Sequence, residues 1–218
     1  MDYKNKIKVI GFDLDQTLYP KSPLIDEAIQ SYIYKKIAEH KNCEFKEAEK
    51  MFKDLYQDGK GLSGSKTLKA LEIPNAKDVV QEALENADIA QFMTPNEEVI
   101  TMLHSLGENY HIDIITGSNN KNCFAKLEKL GIPTEIFNHI ITKDDADKSS
   151  GEAYTMWMSK YDENEPGDFL YIGDRVSSDY DVPREMNINS IMVNVKEKHD
   201  EVDCPQLTSL VEISELLL

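Results

Sequence analysis

Short apolar runs rich in isoleucine and valine punctuate the chain at Ile7 to Phe12, Ile112 to Ile115, His139 to Ile141, Phe169 to Ile172 and Ser190 to Val193. Such brief runs, with no polar face, are the form of strands buried inside a parallel sheet. Between them apolar residues recur at helical spacing: Val99, Met102, Leu103 and Leu106, then Phe124, Leu127 and Leu130, then Ala153, Met156 and Trp157. The alternation of the two patterns predicts a doubly wound, Rossmann-like α/β sheet.

That alternation breaks between the first two strands. Leu24, Ala28, Ile29, Tyr32, Ile33 and Ile37 open a stretch that reads as helix throughout. Ser22-Pro23 offers an N-cap with proline at the first helical position, and Thr94-Pro95-Asn96-Glu97 offers a second helix start with Glu97 in a capping box. Together these signals predict an all-helical cap over 20–93, inserted into an α/β core formed by 1–19 and 94–218. Lys60 to Ser65 reads as the loosest segment, a link between cap helices.

With 218 residues, 40% of them hydrophobic, the chain can bury a core without a metal or disulfide staple. Cys43, Cys123 and Cys204 are odd in number, far apart and outside any C-x-x-C pattern, which argues against a disulfide framework or a zinc site. No apolar run approaches the ~18 residues of a membrane span, and Met1-Asp2-Tyr3-Lys4 does not open a secretory signal, so the expectation is a soluble cytoplasmic protein. A net charge of -16 repels the phosphates of nucleic acids and anionic membranes, so neither is an expected partner. A small phosphate-bearing ligand would need a local cation, either a metal or a placed lysine. The five histidines are scattered and read as structural or surface groups.

The first strand ends in Phe12-Asp13-Leu14-Asp15-Gln16-Thr17, at the edge where parallel sheets bind ligands. Aspartates two apart on extended backbone point the same way. Two carboxylates held close need a cation, or a proton on one of them, which suits a nucleophile beside a general acid. Alone, D-x-D-x-T is equally an ordinary polar turn. Thr116-Gly117-Ser118, after the second strand, offers a hydroxyl and backbone N–H groups that could cradle phosphate oxygens. Lys148 precedes a helix start at Ser149-Ser150-Gly151-Glu152, and Gly173-Asp174-Arg175-Val176-Ser177-Ser178-Asp179 offers hard oxygen ligands suited to magnesium. Each of these also reads as a solvated turn when taken singly.

Taken in this order, the stretches resemble the motifs of the haloacid dehalogenase superfamily: D-x-D-x-T, a Thr or Ser at the second strand end, a Lys, and G-D-x-x-x-x-D. The resemblance spans nearly the whole chain, because the helical insertion sits where that superfamily places a cap. It implies that Asp13 is the nucleophile, Asp15 the acid and base, and Lys148 the charge clamp. Thr116, Gly117, Ser118 and Lys148 would bind phosphate, and Asp13, Asp15, Asp174 and Asp179 would surround Mg2+. Ser149 stands where many relatives have proline, and Asn187 where a glycine is usual, but neither change removes a chemical group. Asn187 can serve a left-handed helix end as Gly131 does. Lys143 competes for the clamp role, yet only Lys148 has the helix start behind it and lies six residues before Tyr154.

Asp13 to Pro20 and Leu55-Tyr56-Gln57-Asp58-Gly59 with Gly61-Leu62 look like the pyrimidine 5'-nucleotidase group within that superfamily. The resulting expectation is Mg-dependent hydrolysis of a small phosphate monoester, with nucleoside monophosphates among the substrates, through an aspartyl-phosphate. A phosphotransferase or mutase, and a catalytically silent metal-binding regulatory protein, are the alternatives. A dehalogenase is disfavoured, since departing halide needs no proton from Asp15.

Overall fold

The computed structural model describes residues 3–57, 61–87 and 89–218. In chain order the elements are α1 (Tyr3–Lys6), β1 (Val9–Phe12), α2 (Pro23–Lys41), α3 (Phe45–Tyr56), α4 (Gly64–Ala70), α5 (Ala76–Asn86), α6 (Glu97–Gly107) and β2 (His111–Ile115). They continue with α7 (Asn120–Lys129), β3 (His139–Ile141), α8 (Glu152–Met158), β4 (Phe169–Gly173), α9 (Val182–Glu185), β5 (Asn189–Met192) and α10 (Ile213–Leu217). They form two compact units, Met1–Lys21 with Met93–Leu218, and Ser22–Phe92.

The first unit is an α/β fold around a parallel five-stranded sheet ordered β3-β2-β1-β4-β5. β1 pairs Phe12 with Ile114 of β2 on one side and with Ile172 of β4 on the other. Every residue of β1 and β4 is buried, which is why both read as unbroken apolar runs. From β1 the chain winds outward in both directions, so the carboxyl ends of β1 and β4 form the topological switch point. Ile7 is buried but precedes the strand, because its N–H closes the first helical turn onto the Tyr3 carbonyl at 2.9 Å.

Helices cover the sheet with the stripes their spacing predicts, with two amendments. α6 buries Val99, Met102, Leu103 and Leu106, but its N-cap is Asn96, which accepts from the N–H groups of Glu98 at 3.0 Å and Val99 at 3.4 Å. Glu97 is the first helical residue and too early for a capping box, which needs an acid where Val99 stands. α7 buries Cys123, Lys126 and Leu127 and leaves Phe124 46% exposed, so the inward face is rotated from the Phe124 stripe and includes a lysine. Asp113 in β2 is fully buried and accepts from Trp157 Nε1 (2.8 Å), Tyr161 OH (2.7 Å) and the His139 N–H (2.7 Å), tying α8 and β3 to the sheet. Gly131 and Asn187 both take left-handed conformations, with φ of 65° and 61°, where a helix must end without steric cost.

The described residues of the second unit form helices joined by turns, with no strand among them. Its core gathers Ile33, Tyr34 and Ile37 of α2, Ala48 and Phe52 of α3, Leu68 of α4, Ile73, and Ala83 of α5. Pro23 occupies the first position of α2 as expected, whereas Ser22 makes no side-chain cap bond and Leu24 points outward at 55% exposure. Of the segment read as a loose link, Gly64 and Ser65 already belong to α4, while Lys60 lies outside the described residues, as do Asp58 and Gly59 of the nucleotidase-like stretch. All three cysteines are free. Among the described residues no helix is long and apolar enough to cross a membrane.

Candidate active site

Three strand ends build the site. The Asp13 N–H continues the β1 ladder onto the Ile172 carbonyl at 2.9 Å, which fixes Asp13 at the switch point with only 6% exposure. Gln16 then takes φ 61° and turns the chain away, leaving Asp15 beside the end of β2.

Beyond β4, a wide helical turn over Val176–Asp181 brings Asp179 back to the strand end. There its Oδ2 accepts the N–H groups of Asp174 (3.0 Å) and Arg175 (2.9 Å), and its Oδ1 accepts Ser178 Oγ (2.7 Å). Gly173 is required by this return: a Cβ at that position would lie 2.5 Å from the Cβ and Cγ of Asp179. Gly173→Ala is therefore expected to lose about 2 kcal/mol through overpacking and to loosen the acidic cluster. Urea denaturation with and without magnesium checks this; unchanged stability and unchanged magnesium response would show that Asp179 can yield freely.

Lys148 reaches the cluster from the loop before α8, where Gly151 turns at φ 88° to start the helix. Its ammonium, 7% exposed, donates to Asp13 Oδ1 at 2.6 Å, pairs with Asp179 Oδ1 at 2.8 Å and lies 4.9 Å from the Tyr171 ring centre. One ammonium thus serves two carboxylates in unequal surroundings. Burial pushes Asp179 up, but Lys148, the backbone N–H of Arg175 and Ser178 outweigh it and hold that carboxyl below its ordinary value. Among the described residues, no backbone N–H donates to the Asp13 carboxylate. Burial first, and then the charges of Asp179, Asp15 and Asp174, outweigh Lys148 and push its pKa up to about 7. Asp174 is raised to about 6, by burial and by Asp179.

Asp15 lies in a different environment. Its Oδ1 accepts Lys126 Nζ at 2.5 Å and Tyr19 OH at 2.5 Å, and its Oδ2 accepts Ser118 Oγ at 2.6 Å. Burial works against the charge, yet Lys126 and the hydrogen bonds from Lys126, Ser118 and Tyr19 prevail and hold the Asp15 carboxyl below its ordinary value. The two aspartates of D-x-D are therefore shifted in opposite directions, Asp13 up and Asp15 down; a cation beside Asp13 and a bound anion beside Asp15 would each reverse the shift, which is what an ionised nucleophile and a protonated acid require.

Lys148 and Arg175 do not offset the negative charge gathered around Asp13 and Asp174, whose carboxyls both stay raised. Asp13, Asp174 and Asp179 each place a carboxylate oxygen within 4.8 Å of the other two. Asp174 Oδ1 is buried and has no hydrogen-bond partner among the described residues, an arrangement that is costly unless a cation supplies the missing interaction. An all-oxygen donor set suits magnesium. The Asp15 carboxylate is not part of this group. Thr116 is 1% exposed, with Oγ1 turned to accept the Ser118 N–H at 3.1 Å, while Gly117 borders open space.

A family model of haloacid dehalogenase-like hydrolases matches residues 10–193, most of the chain and all of these positions. The chain belongs to the haloacid dehalogenase-like hydrolases. Solved structures agree on the fold. A HAD phosphatase from Thermococcus onnurineus is 18% identical over 96% of this chain and 97% of that one, with a TM-score of 0.67. The magnesium-bound HAD-hydrolase YfnB from Bacillus subtilis is 15% identical over 97% and 99%, with a TM-score of 0.65. A 2-haloacid dehalogenase from Pseudomonas syringae is 18% identical over 96% and 97%, with a TM-score of 0.55. No curated protein sequence matches the chain.

In this haloacid dehalogenase-like hydrolase the sequence reading missed Lys126 and Tyr19. Tyr19 follows the D-x-D-x-T motif by two residues and has no periodic signal. Lys126 did leave one: with Cys123, Leu127 and Leu130 it completes an i, i+3, i+4, i+7 stripe in which every other member is apolar and buried.

Proposed function

We propose that this chain is a magnesium-dependent phosphatase acting on small phosphate monoesters, nucleoside monophosphates among them, with Asp13 as nucleophile. The observation that carries this reading is the second carboxylate, Asp15, built onto Lys126, Ser118 and Tyr19 two residues from Asp13. Displacing halide uses no such group. Displacing an alkoxide from phosphorus does, because that leaving oxygen must gain a proton.

In the first step an Asp13 oxygen bonds to phosphorus and the ester P–O bond breaks, with a proton passing from Asp15 to the departing oxygen. An incoming phosphate adds negative charge against Asp15 and raises its proton affinity, so the resting carboxylate can carry that proton once substrate is bound. In the second step Asp15 takes a proton from water, the water oxygen bonds to phosphorus, and the acyl-phosphate bond breaks to free Asp13 and inorganic phosphate. Lys148 holds Asp13 in place against Asp179 throughout. Asp13, Asp174 and Asp179 would hold magnesium, which supplies positive charge opposite the phosphoryl oxygens.

The helical unit that begins at Ser22, seven positions after Asp15, is assigned the choice of substrate. A screen of nucleotides, sugar phosphates and aryl phosphates, with magnesium and with chelator, tests the whole reading. Hydrolysis should require magnesium, and substituting the exposed Leu62 and Lys66 should reorder the esters. Full turnover in chelator would overturn the metal assignment, and equal loss on every ester would overturn the role of the helical unit. Phosphoryl transfer to a sugar phosphate without release of phosphate would favour the mutase alternative.

A further inference from the structure

Lys126 has no part in the reaction just described, yet it is one of the most deeply buried charges in the chain, at 3% exposure on the inward stripe of α7. A buried ammonium is costly unless it is paired and hydrogen-bonded, and ordering its long side chain adds an entropic cost. The pairing is specific. Lys126 Nζ donates to Asp15 Oδ1 at 2.5 Å and to Ser118 Oγ at 2.8 Å, and Ser118 Oγ donates to Asp15 Oδ2 at 2.6 Å. The ring closes on one carboxylate and engages both of its oxygens. Tyr19 OH adds a third donor, to Oδ1 at 2.5 Å.

An aspartate at a strand end has three staggered χ1 wells open to it, and a ring of this kind selects one. Building on the phosphatase reading, we infer that Lys126 is a positioning residue for proton transfer: with Ser118 it locks the Asp15 side chain so that a single orientation meets the leaving oxygen and then the water. It acts through Asp15 and not on phosphate, which Lys148 and the metal side of the site address. Loss of the lock should therefore affect reactions that need the proton and spare those that do not.

The test compares kcat and KM on an alkyl phosphate and on p-nitrophenyl phosphate for wild type, Lys126→Met, Lys126→Arg, Ser118→Ala, Asp15→Asn and the double variant Lys126→Met/Asp15→Asn. Lys126→Met should lower kcat on the alkyl ester roughly 10- to 100-fold, the scale of a misplaced catalytic group, with KM within about threefold. The aryl ester, read by the burst of phosphoenzyme in rapid quench, should change much less in its first step. Ser118→Ala should reproduce the leaving-group pattern at smaller size, and Lys126→Arg should restore part of the loss. In the Asp15→Asn background, Lys126→Met should change kcat less than about twofold, because the two residues act as one unit.

Equal losses in both backgrounds, or equal losses on alkyl and aryl esters, would overturn the inference. Thermal unfolding of each variant is read alongside. If Lys126→Met fails to fold while Lys126→Arg and Ser118→Ala keep wild-type kcat on the alkyl ester, the role is structural and the inference falls. Wild-type chain that hydrolyses no ester would sink the phosphatase reading itself, and the inference with it. Wild-type turnover with an unaffected Lys126→Met variant would sink the inference alone.

Discussion

Asp13→Asn is expected to abolish turnover of every phosphate ester and to leave no labelled phosphate on the protein after acid quench. The loss should reach the order of 10⁴- to 10⁶-fold in kcat, the scale seen when a nucleophile that works as part of a unit is removed. Trapped label on this variant would overturn the assignment of Asp13. The same substitution should raise stability when divalent cations are chelated. Asp13 titrates at about 7 in the fold, because burial and its acidic neighbours disfavour the charge, against roughly 4 in an unfolded chain. Between those values folding takes up a proton, so the stability associated with neutral Asp13 is complete below about pH 4 and is lost as pH rises through about 7. Asp174, raised to about 6, adds to the same slope. Urea denaturation in chelator should therefore show wild type weakening from pH 5 to 8 and Asp13→Asn weakening less. Parallel curves would mean that Asp13 carries its charge without cost.

Lys148→Met should be the most damaging single change to the metal-free fold. The ammonium lies 2.6 Å from Asp13 and 2.8 Å from Asp179, with all three side chains under a tenth exposed. Removing one member of a buried charged cluster typically costs 3 to 5 kcal/mol, a large part of the roughly 5 to 15 kcal/mol that holds a domain together. Magnesium, by binding the folded state alone, should recover part of that loss. Activity should fall at least on the order of 10²- to 10³-fold, as when a preorganised charge is withdrawn from a reacting centre. The checks are unfolding midpoints across a magnesium titration and kcat at saturating metal. A variant equally stable with and without magnesium would contradict the shared-ammonium picture.

Much of this molecule is legible in its sequence because its strands are buried on both faces. Continuous runs such as Val9 to Phe12 and Phe169 to Ile172 can be nothing but interior, and the acids that follow them mark the ligand-binding edge. What was illegible follows from geometry that periodicity does not encode. Phe124 looks like a core residue on α7, yet the helix is rotated so that Cys123 and Lys126 face inward and the ring stays exposed. A lysine in an apolar stripe is ordinarily assigned to solvent. Here it is paid for by an aspartate 111 positions earlier in the chain, a contact no local pattern can reveal. Likewise, the G-D-x-x-x-x-D spacing suggests two metal-side acids, but only the wide turn over Val176–Asp181 shows that Asp179 is held by backbone N–H groups and by Lys148. Gly173 opens that spacing, but the reason it must be glycine, the space Asp179 occupies, belongs to the fold.

The central position of β1 bears on how the chain reaches this fold. β1 is the first strand to be made, yet its partners are distant: Phe12 pairs with Ile114 and with Ile172, the latter 160 positions further on. At roughly 5 to 20 residues per second, a ribosome needs on the order of 8 to 30 s to supply that last partner. For all of that time an all-apolar strand has at least one edge without its neighbour, while the helical segment of residues 22–92 has already been completed behind it. Such long-range parallel pairing folds slowly and leaves sticky edges open in the interval. Chains truncated before β4 should therefore aggregate rather than rest half-folded, and the chaperones that shield nascent apolar segments should matter more to the yield of this protein than its final stability does.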